Sequence, residues 1–285
     1  MEQTLRLPGN RPYHIRFYDP NHLIAYRHHS KHAPGSTLIL ALDQGGIAEA
    51  PFVVCSADVQ RCSQPPCVIA GGTLPGQESS CLLVSNTSGQ VIWQTATNAV
   101  LAMSHIANDT FWSVTEGSEG RLLVSRVSLS DFSIEMESAL PVLLTDVQEL
   151  AISSQGTVFL TRYQDQQQLV CEAYDESGTS MLGHNLAWGS PLIPSPSGEH
   201  LCCFTYTEDG DRQLSIITMK GEHLRSHTLQ ERLPDTEPVR PRWVGTNLLF
   251  IDRATRSELF AIDPYSQECE LLMATNDFIL DFDAL

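Results

Sequence analysis

Short apolar runs recur along this chain, each entered from a turn and left through a polar loop. Leu23-Ile24-Ala25-Tyr26, Cys67-Val68-Ile69-Ala70, Thr110-Phe111-Trp112-Ser113, Thr157-Val158-Phe159-Leu160, Leu201-Cys202-Cys203-Phe204 and Leu248-Leu249-Phe250-Ile251 are all rich in β-formers. Runs of this length without polar alternation predict strands buried on both faces. Beyond each loop lies a second apolar stretch opening on a leucine, at positions 38, 82, 122, 169, 214 and 259, so that successive gaps are 44, 40, 47, 45 and 45. Four short strands with their turns consume a period of this length. A tight turn then closes each unit, as in Asp43-Gln44-Gly45-Gly46, Asn86-Thr87-Ser88-Gly89, Asp175-Glu176-Ser177-Gly178, Met219-Lys220-Gly221 and Asp263-Pro264-Tyr265-Ser266. Glycine and asparagine tolerate the positive φ of such hairpins. The third unit places residues 128–132 there without a glycine.

Six such units predict an all-β chain, a six-bladed β-propeller of four-stranded antiparallel blades. A four-stranded sheet cannot bury both faces alone, whereas packing it radially between two neighbours does so and leaves only short edges. The chain reads as one domain over 1–285, with blades near 14–52, 53–95, 99–138, 148–183, 190–226 and 239–274. The strand-like ends, 4–7 and 278–282, are expected to close the ring, one completing a blade begun at the other terminus. The rival architectures are a pair of β-sandwiches or a seven-bladed ring with a degenerate copy. No stretch sustains helical spacing beyond two turns, which argues against an α/β fold.

The fifth unit carries a recognisable signature. Ser195-Pro196-Ser197-Gly198 precedes the strand at 201–204, a polar loop Asp209-Gly210-Asp211-Arg212-Gln213 precedes Leu214, and Lys220-Gly221 follows. It resembles the repeat of TolB-like and WD40-like propellers; the fourth and sixth units are looser copies and the first three depart from it. The resemblance implies a fold that serves scaffolds, translocation factors, lyases and the non-catalytic domains of peptidases, and so implies little about chemistry.

The balance of 34 Asp+Glu against 17 Lys+Arg gives a formal charge of -17. That field repels phosphate backbones and anionic lipid, so neither nucleic acid nor a membrane is an expected partner. Residues 1–9 show no basic stretch leading into an apolar one, and no apolar run approaches a membrane-spanning length, so a soluble cytoplasmic protein is expected. The eight cysteines are irregularly spaced and read as free, mostly buried thiols. If adjacent Cys202 and Cys203 lie on a strand, they point to opposite faces. Cys55, Cys62 and Cys67 match no zinc spacing.

Loops joining the second and third strands of all blades gather on one face, where function on this scaffold usually resides. They span 28–36, 71–80, 115–120, 162–168, 206–212 and 252–257. The first holds His28, His29 and His32, either ligands for a divalent transition metal or a solvated turn that balances acidic neighbours. The last three hold Arg162, Asp165, Glu208, Asp209, Asp211, Arg212, Asp252, Arg253 and Arg256, a mixture that suits either a protein-binding rim or salt bridges within the ring. The stretch 206–211 alternates acids around a glycine but lacks the calcium-loop pattern and reads as a polar hairpin. Trp93, Trp112 and Trp243 read as packing residues, and Trp188, in a glycine-flanked connection, as an exposed binding residue. Two connections, 49–66 and 227–241, are proline-rich departures from the repeat. Nucleophile elbows, phosphate loops and His-Glu-x-x-His are absent. The expectation is a non-catalytic scaffold that binds another protein or peptide on one loop face and needs no cofactor. The alternative is a hydrolase or lyase acting on a sugar or other small polar substrate at the channel mouth, assisted by a metal on the histidine loop.

Overall fold

The apolar runs fold as the buried middle of six sheets. In this computed structural model the structure describes residues 13–276 with Leu7 and Phe282, apart from 29–34, 44, 64–65, 78, 165–167, 185–191, 208, 219, 231–238, 254–255 and 267. Blade 1 comprises β1 (His14–Asp19), β2 (His22–Arg27), β3 (Ser36–Ala41) and β4 (Gly46–Glu49). Blade 2 comprises β5 (Val53–Ser63), β6 (Pro66–Thr73), β7 (Cys81–Asn86) and β8 (Val91–Ala96). Blade 3 comprises β9 (Val100–Met103), β10 (Thr110–Glu116), β11 (Arg121–Ser128) and β12 (Ile134–Leu143). Blade 4 comprises β13 (Glu149–Ile152), β14 (Val158–Gln164), β15 (Gln168–Tyr174) and β16 (Ser180–His184). Blade 5 comprises β17 (Ile193–Pro194), β18 (His200–Tyr206), β19 (Arg212–Thr218) and β20 (His223–Thr228). Blade 6 comprises β21 (Arg242–Val244), β22 (Asn247–Asp252), β23 (Ser257–Ile262) and β24 (Cys269–Thr275). Every sheet is antiparallel in chain order, and the described residues form no α-helix.

The predicted runs are the second strand of each blade and the leucine stretches are the third. These two are the strands flanked on both sides within their own sheet, so the chain spends its continuous apolar sequence there. The first strands pack against one another around the centre, β1 with β5, β5 with β9, β9 with β13 and β13 with β17. Apolar clusters fill the gaps between successive blades. One joins Tyr18 and Ile24 of blade 1 to Val68 and Leu83 of blade 2, and another joins Phe204 and Ile216 of blade 5 to Phe250 and Ile262 of blade 6. Cys202 belongs to this last cluster, while Cys203 faces Phe159 and Ala173 in the gap between blades 4 and 5. Strand alternation therefore sends the two adjacent thiols into different interfaces. All eight cysteines are free, and six are buried.

The glycine-free turn of the third unit is accommodated by Phe132, which takes a φ of 58° and stacks its ring on Trp93 at 5.5 Å. The segment 49–66 differs from the expected inserted connection. Most of it is the long strand β5, which keeps its place beside β6 through an irregularity of register between Val54 and Val59. All four strands of each sheet come from one consecutive stretch of chain. The segments expected to close the ring, 4–7 and 278–282, lie outside the described residues except for Leu7, which packs beside Ala25, Leu38 and Leu40 of blade 1, and Phe282. No helix among the described residues is long and apolar enough to cross a membrane.

Candidate functional site

On the loop face, Arg162 leaves the end of β14 and donates from Nε and Nη2 to Glu172 Oε1 at 3.0 and 2.6 Å. Tyr174 donates to the other oxygen of Glu172 at 2.8 Å. Hydrogen bonding to Glu172 raises the guanidinium pKa, and burial together with that carboxylate pushes the Tyr174 phenol up to about 12. The pair lies within one blade and is open to water on the arginine side, so it contributes at most about 1 kcal/mol and serves to fix the arginine in place. Beside it Tyr163 is 56% exposed, an aromatic ring presented to solvent at the tip of the strand.

In blade 5 the turn before β19 is closed on itself. Thr207 and Asp211 are joined through Thr207 N to Asp211 O at 2.8 Å and Asp211 N to Thr207 Oγ1 at 3.0 Å, with Gly210 at φ 86°. The expected polar hairpin is present, and Asp209 and Asp211 project from it into solvent. Arg212 begins β19, and its carbonyl accepts from Leu229 N at 2.9 Å.

In blade 6 the charged residues divide. Arg256 is exposed and pairs with Glu258 at 2.8 Å. Asp252 and Arg253 are buried, each 5% exposed, and both carboxylate oxygens of Asp252 accept from Gln230 N at 3.1 and 2.9 Å. Asp252 thus anchors the connection between blades 5 and 6. Asp165, Trp188, Glu208 and the stretch 231–238 lie outside the described residues.

Of the three loop histidines, His28 is described, and His29 and His32 lie outside the described residues. Its ring lies 5.5 Å from His14 and 5.6 Å from Tyr26, with Nδ1 3.2 Å from Val54 O. Burial, reinforced by the neighbouring His14, lowers its pKa and favours the neutral imidazole, the form able to ligate a metal. Among the described residues no group of three or more His, Cys, Asp or Glu side chains is placed to hold a metal ion. His14 and Tyr163 are the residues that sequence reasoning passed over. An aromatic at a strand tip after an arginine was a usable signal for Tyr163; His14 meets His28 only through the register of β1 on β2.

The first strands line a central channel containing two cavities of about 270 and 250 Å³. Gln60, His105 and Ile193 border both, so the two are neighbours along the channel. Three of the four predicted tryptophans are described: Trp112 and Trp243 are buried, Trp93 packs against its cluster, and Trp243 Nε1 donates to Ile193 O at 3.0 Å across the channel wall.

The molecule is a β-propeller. No protein-family model matches the chain, and no curated protein matches it at a significant level of sequence similarity. Solved structures do match. An uncharacterised protein of Listeria monocytogenes aligns over 96% of this chain and 86% of its own, with a TM-score of 0.60 at 10% identity. The β-propeller domain of the Trilobed protease from Pyrococcus furiosus, described as having an open velcro topology, aligns over 97% and 88%, with a TM-score of 0.59 at 10% identity. TolB from Acinetobacter baumannii aligns over 90% and 66%, with a TM-score of 0.51 at 11% identity. At these identities the likeness is one of fold, and the propeller must be read for function from its own side chains.

Proposed function

We propose that this propeller is a non-catalytic interaction scaffold that docks another protein or peptide on its loop face, centred on Tyr163 and Arg162 of blade 4 and flanked by Asp209 and Asp211 of blade 5. The exposed Tyr163 carries the reading. Tyrosine and arginine are among the residue types that dominate binding energy in protein interfaces: tyrosine adds a large rigid ring with a polar tip, and arginine a planar fork of donors on a long apolar stem. Arg162 is already held by Glu172, so its fork is oriented before a partner arrives. The rim of mixed charge would set register and encounter rate.

The test is affinity capture from the native host with quantitative mass spectrometry, comparing the wild-type chain with the double variant Arg162→Ala, Tyr163→Ala and with Tyr265→Ala. Tyr265 is 74% exposed on the opposite face, in the turn between β23 and β24. The reading expects a stoichiometric protein partner that the double variant loses by tenfold or more and that Tyr265→Ala retains. A partner held equally by all three chains removes the loop face from the interaction.

The channel supports one alternative, a hydrolase or lyase acting on a small polar substrate, because His105 and Glu149 line the same cavity. Metal assistance belongs to that reading. Elemental analysis that finds a transition metal, lost on replacing His28, His29 and His32 together, would favour it over the scaffold.

A further inference from the structure

Two of the eight free thiols face each other across one ladder. Cys62 on β5 and Cys67 on β6 are paired residues of that antiparallel sheet, one step from Ser63 and Pro66, the last pair of the ladder. Paired residues send their side chains to the same face, with Cβ atoms about 4.5–5.5 Å apart. A side-chain hydrogen bond joins the two, so the sulfurs lie within reach of one another. Both are buried, 7% and 2% exposed, in the apolar cluster between blades 2 and 3 that includes Val100, Met103 and Phe111.

Other thiols that sense one another direct their hydrogen bonds elsewhere. Cys81 feels Cys55, yet Cys81 donates to Gly72 O at 3.3 Å and Cys55 to Val53 O at 3.5 Å. Cys203 feels Cys171 and donates to Ser215 O at 4.0 Å. A buried cysteine packs as a small apolar side chain, and what sets it apart is the chemistry open to its sulfur. Two sulfurs in contact have one reaction that a lone thiol lacks, closure to a disulfide. That bond needs Cα atoms about 4.4–6.8 Å apart and Cβ atoms about 3.5–4.5 Å apart. Opposed ladder residues meet the first condition and come within about 1 Å of the second.

The two sulfurs are not equivalent. Burial, the charge of Cys62 and the hydrogen bond to it raise the Cys67 thiol above its ordinary value, so Cys67 keeps its proton and donates it to Cys62. Cys62 is also the less buried of the two and follows the exposed Arg61. One sulfur is thus set to be oxidised first and the other to close the bond.

We infer that Cys62 and Cys67 form a peroxide-responsive redox site that switches between a dithiol and a cross-strand disulfide, Cys62 attacking and Cys67 closing the bond. The Cys62 thiolate attacks one oxygen of hydrogen peroxide; the O–O bond breaks, and the departing hydroxide takes up the proton that Cys62 released, leaving as water. The Cys67 sulfur then attacks the sulfenic sulfur of Cys62. The S–O bond breaks, and the oxygen leaves with the Cys67 proton as a second water. Two thiols and one peroxide give one disulfide and two waters, the sulfurs being oxidised and the peroxide oxygens reduced. A cross-link closing so short a loop adds little stability, so the switch acts on the packing of blade 2 against blade 3. The pair lies at the end of the blade opposite the loop face, and the inference is independent of a partner there.

The test treats the reduced full chain with equimolar hydrogen peroxide and maps its thiols by differential alkylation and mass spectrometry. Two of the eight thiols should be lost, Cys62 and Cys67, in a product lighter by two hydrogens, and dithiothreitol should restore both. In Cys67→Ser the reaction should stop at a sulfenic acid on Cys62, trapped by dimedone. In Cys62→Ser the oxidation of Cys67 should slow about tenfold or more. Cys55→Ser, which removes the exposed thiol, should leave the disulfide unchanged. Retention of both thiols in the wild-type chain overturns the inference whether or not the variants fold. A disulfide at other positions overturns it too, as does a loss that dithiothreitol does not reverse. Faster dimedone labelling of Cys67 in Cys62→Ser than of Cys62 in Cys67→Ser overturns the order of attack.

Discussion

His28 and His227 are half-buried imidazoles set against rings, His28 beside His14 and Tyr26, His227 at 4.9 Å from Phe250 and 5.9 Å from Phe260. Burial lowers both pKa values; His14 adds to the effect at His28, while at His227 Asp252 opposes it and Arg225 adds to it. The unfolded chain therefore binds more protons than the folded one once pH approaches the free-histidine value of about 6.5. Their contribution to stability is complete above that pH and is lost as pH falls through it. Tm measured by calorimetry should decline between about pH 7 and pH 5.5, and His28→Gln with His227→Gln should flatten the decline. An unchanged slope in the double variant would exclude these two residues. Asp19, Asp131 and Asp175, all lowered, act in a separate window below about pH 4. The alternation that separates Cys202 from Cys203 was legible in the sequence because a strand has a period of two. The meeting of His14 with His28 was not, because the β1–β2 register shifts between Phe17 and Asp19.

A single turn shows how one element fits its neighbour. In the turn before β14, Gly156 adopts φ 85°, and a Cβ there would stand 2.8 Å from the Trp112 ring of blade 3. Gly156→Ala should lower stability by about 3 kcal/mol, from positive-φ strain together with overpacking. Gly76→Ala, at φ 76° with open space around it, should cost only about 1 kcal/mol. Urea unfolding midpoints measure both, and equal losses would mean that the blade contact contributes nothing. The second and third strands of every blade were legible because their apolar runs are unbroken. The first strands were not: β17 has two residues and β21 three, and several of their side chains face a polar channel. Asp252 and Arg253 were chosen for residue type; both are buried, and Asp252 is engaged by the backbone of Gln230 from the connection between blades, which no local pattern reports.

At the scale of the ring, five gaps between successive blades are filled by mixed apolar clusters. The sixth cluster combines Ala25, Leu38 and Leu40 with other residues of blade 1 and its approach, including Leu7 and Tyr13, and no described residue of blade 6. No strand is shared between the first and last blades among the described residues. The segments expected to close that seam, 4–7 and 278–282, lie outside the described residues apart from Leu7 and Phe282. Hydrogen exchange followed by mass spectrometry tests the closure: with it, β1–β4 and β21–β24 should be as protected as β9–β16. Uniform protection around the ring would show that closure there is as tight as elsewhere. The adjacent thiols offer a way to watch this from inside. Cys203 is sealed by blade 4 and Cys202 by blade 6, so pulse-labelling followed by peptide mapping would time the parting of two neighbouring joints from consecutive residues of one strand. Whichever sulfur is modified first names the joint that yields first.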